Sequence, residues 1–254
     1  MIPLAEQRIL VTGASSGLGR ALSARLADAG AKVVSTARRR APLDELASRH
    51  PGIEPHILDL MDARGIAELC ETIGPITGAV LNAGVTHVGP FNDGSNIADA
   101  AMVETNVMAN VRLARALYGP LCGAPGRQGR LVMVGSMAGQ TALPYQAVYS
   151  GTKAFLQNLS LALREEWRGD VSVGLFTPGG IKTEMTNVDA LSKLQDRLAS
   201  ADDVADELMA FYLSDGAQRT PGRVNRVAAA AAQLLPRPWV TRLMERVYRT
   251  DEED

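Results

Sequence analysis

The stretch Thr12-Gly13-Ala14-Ser15-Ser16-Gly17-Leu18-Gly19 lies between the apolar run Arg8-Ile9-Leu10-Val11 and a helix-forming segment at 21–29. A glycine-rich turn from a strand into a helix directs backbone N–H groups and the helix N-terminus towards a site where a pyrophosphate can bind. Gly13 and Gly17 would let the backbone come close to that ligand. The same spacing also fits a turn that needs glycine only for its own packing. The stretch predicts a strand, a tight turn and a helix, with a dinucleotide site where they meet.

Short apolar runs alternate with longer amphipathic segments through the rest of the chain. The predicted strands are 8–11, 32–36, 54–58, 79–81, 130–134 and 171–176, and the predicted helices are 21–29, 42–50, 63–72, 97–118 and one beginning at Tyr149. We expect Gly119 and Pro120 to end the helix that precedes them. Continuous apolar strands between helices predict a doubly wound parallel sheet in a three-layer α/β/α sandwich. A length of 254 residues fits a single domain.

Composition excludes several classes of protein. A net charge of -2 and an aromatic content of 4% provide neither a basic field nor stacking platforms for nucleic acid. Two cysteines are too few for a disulfide framework, and the three histidines, His50, His56 and His87, lack the spacing of metal ligands. No apolar run reaches the roughly 18 residues of a membrane span. The first ten residues resemble neither a secretory signal nor a transit peptide, so we expect a cytoplasmic protein without a metal.

Tyr149 precedes Lys153 by four residues, and Ser136 precedes Tyr149 by thirteen. Residues four apart share one face of a helix, so Tyr149 and Lys153 can point into one cleft. A tyrosine hydroxyl with its ordinary pKa of about 10 is a poor acid or base at neutrality, but a neighbouring ammonium favours the phenolate. We therefore expect Tyr149 to give and take a proton.

Three arginines, Arg38, Arg39 and Arg40, follow Ala37 at the end of the second predicted strand. An acidic residue at this place would accept hydrogen bonds from the ribose of NAD. A guanidinium instead forms a bidentate, charge-assisted pair with a phosphate. The position predicts NADP(H), with Arg38 as the leading contact and Arg39 second. The alternative is a solvated surface loop.

With these motifs the chain resembles the classical short-chain dehydrogenase/reductase family over about 7–183. The matching features, in order, are the glycine-rich turn, Leu81-Asn82-Ala83-Gly84, Asn106, Ser136, Tyr149-x-x-x-Lys153 and Pro178-Gly179. Leu81 departs from the family, which more commonly has asparagine there. The resemblance implies a one-domain Rossmann fold with strand order 3-2-1-4-5-6-7 and hydride transfer between a nicotinamide and a carbonyl or alcohol. It also implies a homodimer or homotetramer.

The resemblance implies a role for each residue of the site. Tyr149 would act as the general acid or base, Ser136 would bind the substrate oxygen, Lys153 would bind the nicotinamide ribose, and Asn106 would support a water path to Lys153. The implied cofactor-binding residues are Gly13, Ser15, Gly17, Leu18, Gly19, Arg38, Arg39, Asp59, Asn82, Gly84, Tyr149, Lys153, Pro178, Gly179, Ile181 and Thr183. Asp59 could equally cap the following helix, as could Thr183 in its own segment, and Gly84 could serve its turn alone.

The segment after Thr183 is where such proteins diverge. We expect a substrate lid within 184–216, with 184–198 over the site, and a variable helical segment at 224–250. The expected substrate-binding residues are Ser136, Met137, Tyr145 and Met185, with Leu143 and Leu191 as further apolar lining, and they suggest an apolar substrate. The basic, apolar C-terminal helices are expected to pack on this domain or on a second copy, with a membrane surface as the open alternative.

These features predict an NADP(H)-dependent reductase of a ketone, aldehyde or oxoacyl group. The runner-up activity is oxidation of a secondary alcohol, either steroid-like or a sugar alcohol. The third reading is a nucleotide sensor without catalysis, because a fold alone does not establish an activity. The full set of Asn106, Ser136, Tyr149 and Lys153 favours an enzyme, since a binding protein has no chemical need for all four.

Overall fold

The computed structural model describes residues 3–124, 128–187 and 198–249. Its strands are β1 Arg8–Thr12, β2 Lys32–Ala37, β3 Ile53–Ile57, β4 Gly78–Leu81, β5 Gly129–Val134, β6 Val171–Phe176, β7 Ile181–Lys182, β8 Ala199–Ser200 and β9 Gln218–Arg219. Its α-helices are α1 Gly17–Asp28, α2 Arg40–Arg49, α3 Ala63–Thr72, α4 Asn96–Val103, α5 Ala109–Cys122, α6 Ala147–Glu166, α7 Ala201–Tyr212, α8 Arg223–Leu234 and α9 Arg237–Tyr248. The doubly wound architecture is confirmed.

Seven parallel strands form the main sheet in the order β3-β2-β1-β4-β5-β6-β9. This is the strand order that the resemblance implied. Neighbouring residues of β1 alternate between the two faces, because Leu10 packs with α3, α5 and α6 whereas Ile9 and Val11 pack with α1, α2 and α7. The sheet therefore has a helical layer and a separate apolar core on each side. β7 pairs with β8 in a second, two-stranded sheet.

The predicted helix at 97–118 is in fact a longer and interrupted one. α4 continues through a π-helical turn at Glu104–Met108 into α5, which ends only at Cys122. The expectation that Gly119 and Pro120 stop it was wrong. Pro120 removes one helical N–H, but Gly123 N still donates to Gly119 O at 3.1 Å, so the last turn remains closed.

Within the predicted lid at 184–216, residues Ala201–Tyr212 form α7. α7 packs on the sheet, and its side chains Val204, Leu208, Phe211 and Tyr212 are buried in the core it shares with α1 and α2. An amphipathic helix with its apolar face in the core cannot open over a site without exposing that face to water. The part of the predicted lid at 188–197, which includes Leu191, lies outside the described residues.

The predicted helical segment at 224–250 consists of two helices, α8 and α9. Their outer apolar side chains stay in solvent, with Val224 82%, Leu234 86% and Trp239 68% exposed. Each of these two helices therefore buries only one of its faces against this domain. In the described part of the chain, no helix has the length and apolar character required to cross a membrane.

Candidate active site

The turn between β1 and α1 leaves a space at Gly13, Gly17 and Gly19 that side chains at these positions would fill. We call this space the glycine cradle. Gly13 and Gly17 have positive φ angles of 71° and 53°, which disfavour residues with a Cβ. A Cβ on Gly19 would lie 2.4 Å from Gly13 O. Ser16 occupies the N-cap of α1, yet its side chain makes no capping hydrogen bond. The cradle, with free N–H groups at a helix N-terminus, fits a pyrophosphate.

The arginines after β2 lie on the same side as this cradle. Arg38 is exposed and has no hydrogen-bond or ion-pair partner among the described residues. Arg39 is engaged, because its Nη2 lies 2.9 Å from Glu184 Oε2 and 3.4 Å from Ser15 Oγ. Arg38 is thus free to bind a phosphate, whereas Arg39 would first have to break its ion pair with Glu184. Sequence reasoning missed Glu184 as a partner of Arg39, because the two residues lie far apart along the chain.

Tyr149 and Ser136 meet at the carboxyl edge of the sheet. Tyr149 lies in the first turn of α6, and Ser136 lies two residues after β5, at the start of a 3₁₀ turn where its Oγ accepts from Ala138 N at 3.1 Å. Burial raises the pKa of Tyr149, and a hydrogen bond from Ser136 opposes that rise. The serine therefore favours the phenolate, as a group that supports proton transfer should.

Lys153 lies one turn further along α6 and is 4% exposed. Its Nζ donates to Val134 O at 3.0 Å and lies 5.8 Å from the centroid of the Tyr149 ring. Burial lowers the pKa of Lys153 to about 8. The Lys153 ammonium is directed to the strand carbonyl of Val134, and burial is the main cause of the raised pKa of Tyr149.

Asn106 lies in the π-helical turn and is completely buried. Its Oδ1 accepts from Val85 N and its Nδ2 donates to Val85 O, both at 2.8 Å. A Cβ on Gly84 would lie 3.3 Å from both Asn106 Oδ1 and Lys153 Nζ. Asn106 thus holds the loop after β4 beside Lys153, and Gly84 provides the space between them.

The remaining predicted cofactor residues lie along the same edge with different local roles. Asn82 Nδ2 donates to Thr12 O at 3.0 Å, which ties β4 to the cradle. Thr183 packs its methyl group where a Cβ on Gly17 would be, only 2.8 Å away. Asp59 accepts from Met61 N at 3.0 Å within a turn, and Asp62, not Asp59, is the N-cap of the following helix α3. The buried Leu18 and Pro178 and the half-buried Gly179 and Ile181 complete this set.

A cavity opens beside Tyr149 and Tyr145. It is lined by His87, Gly89, Pro90, Phe91, Gly94, Asp99, Met102, Tyr145, Gln146, Ala147, Val148 and Tyr149. Tyr145 has a positive φ of 64° and accepts from Gly89 N at 2.9 Å through its carbonyl, which fixes it as part of this wall. The other predicted pocket residues, Met137 and Met185, do not line this cavity.

The cavity contains polar groups that the sequence analysis missed. His87, Asp99 and Gln146 contribute an imidazole, a carboxylate and an amide. Only their positions along the chain could have indicated these three residues. Gln146 precedes the helix of Tyr149, and His87 and Asp99 follow the fourth strand. Apolar groups also line the cavity, among them Tyr145 of the predicted set, whereas Met137, Leu143 and Met185 do not line it.

A Rossmann fold with a serine, a tyrosine and a lysine beside its glycine-rich turn defines the class as a dinucleotide-dependent oxidoreductase. The family model for short chain dehydrogenase matches residues 7–193, and the chain belongs to that family.

Several known proteins are similar to this chain. It is 32% identical to D-erythrulose reductase of Gallus gallus, over 85% of this chain and 92% of that protein. It is 33% identical to Dehydrogenase/reductase SDR family member 7B of Bos taurus over 70% of this chain, but spans only 59% of that protein. A solved structure of the closed form of serine dehydrogenase complexed with NADP+ is 28% identical, with a TM-score of 0.76, over 84% of this chain and 92% of the other.

Proposed function

We propose that this protein is an NADP(H)-dependent oxidoreductase that reduces a carbonyl group to an alcohol, with Tyr149 as general acid and base. The observation that carries the proposal is the grouping of three side chains: Lys153 is buried with its Nζ 5.8 Å from the centroid of the Tyr149 ring, and Ser136 lies close enough to Tyr149 to oppose the rise of its pKa. These groups lie at the sheet edge that also holds the glycine cradle. A site for a dinucleotide and a proton donor are therefore neighbours.

The choice of NADP(H) over NAD(H) rests on Arg38. It is exposed, unpaired among the described residues, and follows the strand β2 that borders the cradle. Its guanidinium would bind a 2′-phosphate bidentately. The similarity to a serine dehydrogenase complexed with NADP+ supports the same cofactor.

The bound cofactor supplies a hydride to the substrate carbon. Tyr149 donates its hydroxyl proton to the carbonyl oxygen, and takes a proton from the alcohol in the reverse direction. Ser136 turns its hydroxyl hydrogen from Tyr149 to the substrate oxygen and so positions that oxygen. Lys153 keeps two of its N–H groups available beyond its bond to Val134 O, for the ribose and for a water near Asn106.

The decisive experiment follows NADPH absorbance against a panel of ketones, aldehydes, diketones and oxoacyl thioesters, with NADH in parallel. We expect turnover with NADPH that is lost in Tyr149→Phe, while the variant still binds NADPH. Tyr118→Phe is the matched control, because Tyr118 is on α5 and its hydroxyl bonds Asp170. Tight NADPH binding without turnover in either direction would instead favour the nucleotide sensor.

The second candidate is oxidation of a sugar alcohol or another small polyhydroxylated substrate. It is favoured by His87, Asp99 and Gln146 in the cavity, since a polar lining can hydrogen-bond several hydroxyl groups. The similarity to D-erythrulose reductase points to the same substrate class. Adding short ketoses and their alcohols with NADP⁺ to the panel separates this candidate from an apolar ketone.

We also propose, from the family, that the protein works in the cytoplasm as a homodimer or homotetramer. Exposed apolar side chains are available for such contacts. They are Met108, just before α5, and Phe155 and Leu161 on α6. Sedimentation equilibrium would measure the assembly directly.

A further inference from the structure

The helix α8 presents an apolar stripe to solvent. The spacing of three, four and three residues that defines one face of a helix joins Val224, Val227, Ala231 and Leu234. Val224, Val227 and Leu234 are 82%, 71% and 86% exposed, and Ala231 is exposed as well. Ala229, the buried residue of α8, lies on the opposite side of the helix. The stripe is therefore uncovered in the described part of the chain.

The helix α9 has a second exposed apolar stripe. It consists of Trp239, Leu243 and Val247, which recur every four residues and are 68%, 55% and 41% exposed. The buried residue of α9 is Val240, so this helix packs on the domain along a neighbouring face. Only two residues separate α8 from α9, and the two helices contact each other. We call them the C-terminal pair.

The C-terminal pair is rich in arginine. Residues 223–249 include one acidic residue, Glu245, and carry a net charge of +5. The six arginines of this segment are Arg223, Arg226, Arg237, Arg242, Arg246 and Arg249. Arg249 is paired with Glu245, with Nη2 2.7 Å from Oε1. The other five are exposed, and none of them has an ion pair with another described residue. Unpaired guanidinium groups therefore lie beside two exposed apolar stripes.

This combination distinguishes among the three partners that the sequence left open for these helices. The domain itself already contacts the inner face of each helix. A second copy of the chain would bring the same arginines against these arginines, and like charges disfavour such a contact. An anionic lipid surface attracts the arginines and accepts the apolar side chains into its interface. The exposed Trp239 fits the same partner, because tryptophan is enriched where a membrane meets water.

We propose that the C-terminal pair binds the surface of an anionic lipid bilayer. The two apolar stripes enter the interface, and the exposed arginines reach the phosphate groups of the lipids with their long side chains. The helices lie on the surface, since each has 12 residues and is too short to cross a bilayer. This binding is independent of the proposed reductase activity, so it can be tested without turnover.

Electrostatic attraction alone is weak for this segment. Four acidic residues follow at 251–254, outside the described residues, and they reduce the net charge of 223–254 to +1. Long-range attraction to an anionic surface is correspondingly small. Binding therefore needs the apolar stripes as well as the arginines, and loss of either should weaken it.

The first test is co-sedimentation of the full chain with vesicles of phosphatidylcholine, either pure or with about one-third phosphatidylserine. We expect binding to the vesicles that contain phosphatidylserine, much weaker binding to the pure vesicles, and release at high salt. Arg242→Gln combined with Arg246→Gln should lower the partition coefficient by about 25-fold, because each arginine near such a surface contributes about a factor of five. Lys32→Gln combined with Arg115→Gln is the control, since it removes the same charge from exposed residues elsewhere and should bind like the parent.

The second test follows Trp239 into the lipid. The chain has two tryptophans, so Trp167→Phe leaves Trp239 as the single indole. Its fluorescence should shift to shorter wavelength when vesicles with phosphatidylserine are added, because the indole leaves water. Leu234→Gln combined with Leu243→Gln should weaken binding by about ten-fold or more in both tests. Ile97→Gln on α4 is the control, since that side chain is 83% exposed and lies outside the C-terminal pair.

The outcomes separate this proposal from the proposed function. The Kd for NADPH should stay within about two-fold in every variant, which shows that the domain is still folded. Absence of binding to both kinds of vesicle, or equal binding to both, overturns the lipid proposal. A change in oligomeric state of the Leu234→Gln and Leu243→Gln variant without lipid, measured by sedimentation equilibrium, also overturns it, because a second copy would then cover the stripes. A parent that binds lipid and NADPH but reduces nothing overturns only the proposed function.

Discussion

Lys153 Nζ lies 5.8 Å from the centre of the Tyr149 ring and donates to Val134 O at 3.0 Å. A strand carbonyl thus holds the Lys153 ammonium near the Tyr149 ring. This position is buried, and burial disfavours the charged form of the lysine. Its pKa falls to about 8 from an ordinary value of 10.5. The protein keeps a costly buried ammonium at the position where proton transfer needs one.

This geometry predicts that Lys153→Met stabilises the protein while it abolishes activity. At pH 7 Lys153 is charged in the folded protein, although burial disfavours that charge. The fall in its pKa corresponds to a loss of roughly 3 kcal/mol in the free energy of unfolding. The unfolded chain binds more protons than the folded chain between pH 8 and 10.5, so the parent gains stability as pH rises through that window. The free energy of unfolding of Lys153→Met should exceed that of the parent by about 2–3 kcal/mol at pH 7.

Urea denaturation without cofactor, at pH 7 and at pH 10, checks this. The advantage of Lys153→Met should shrink at the higher pH, because the parent lysine is by then neutral in the folded state. An equal difference at both pH values would mean that packing, and not the buried charge, separates the two proteins.

Ser136 should contribute to catalysis with little effect on folding. Ser136→Ala removes the hydroxyl that bonds Tyr149 and would position the substrate oxygen. Loss of one such donor costs about 10²–10³ in kcat. The control is Ser160→Ala on the same α6 helix, where the serine bonds only Gln157 O at 3.0 Å and is far from the cleft. Steady-state kinetics should show the loss in the first variant alone, at unchanged NADPH affinity.

Arg38 should determine the preference between the two cofactors. Arg38→Ala should raise the KM for NADPH by about 10–100-fold, the value of a hydrogen-bonded charge, and leave the KM for NADH nearly unchanged. Arg40→Ala removes a neighbouring exposed arginine that begins α2 and serves as the control. Equal effects of the two substitutions would mean that general surface charge, not a specific contact, attracts NADPH.

Glu184 should weaken phosphate binding by occupying Arg39. Both side chains of the Arg39–Glu184 ion pair are exposed, so breaking the pair costs little free energy. Glu184→Gln should therefore lower the Kd for NADPH by only about two- to five-fold. NADH, which lacks the phosphate, should bind as before. Glu68→Gln breaks a comparable exposed surface pair with Arg64 at 2.7 Å and should change neither Kd. Fluorescence titration at low and high salt would measure all three proteins.

Local patterns were enough to predict six of the seven strands of the main sheet, whereas their order was implied by the family resemblance. The strands are apolar runs, and Tyr149, Lys153 and Ser136 are separated by spacings that one helix and one strand end determine. The seventh strand was missed as a segment because Gln218–Arg219 is two exposed polar residues with no apolar pattern. Glu184 beside Arg39 was missed for another reason. This contact joins distant parts of the chain, and spacing along a sequence carries no information about it.

The glycine cradle provides the last prediction. Gly19→Ala would place a Cβ 2.4 Å from Gly13 O and 2.5 Å from Asn82 Nδ2, so the turn must shift to accept it. We expect a loss of about 1–3 kcal/mol in the free energy of unfolding and weaker binding of either dinucleotide. Gly151→Ala is the matched control, because it lies within α6 and a Cβ there meets nothing within 4 Å. That substitution should stabilise the helix by about 0.5–1 kcal/mol, since alanine restricts the unfolded chain. Thermal denaturation and NADPH titration of both variants distinguish a cradle from an ordinary helical glycine, because only the cradle variant should lose affinity.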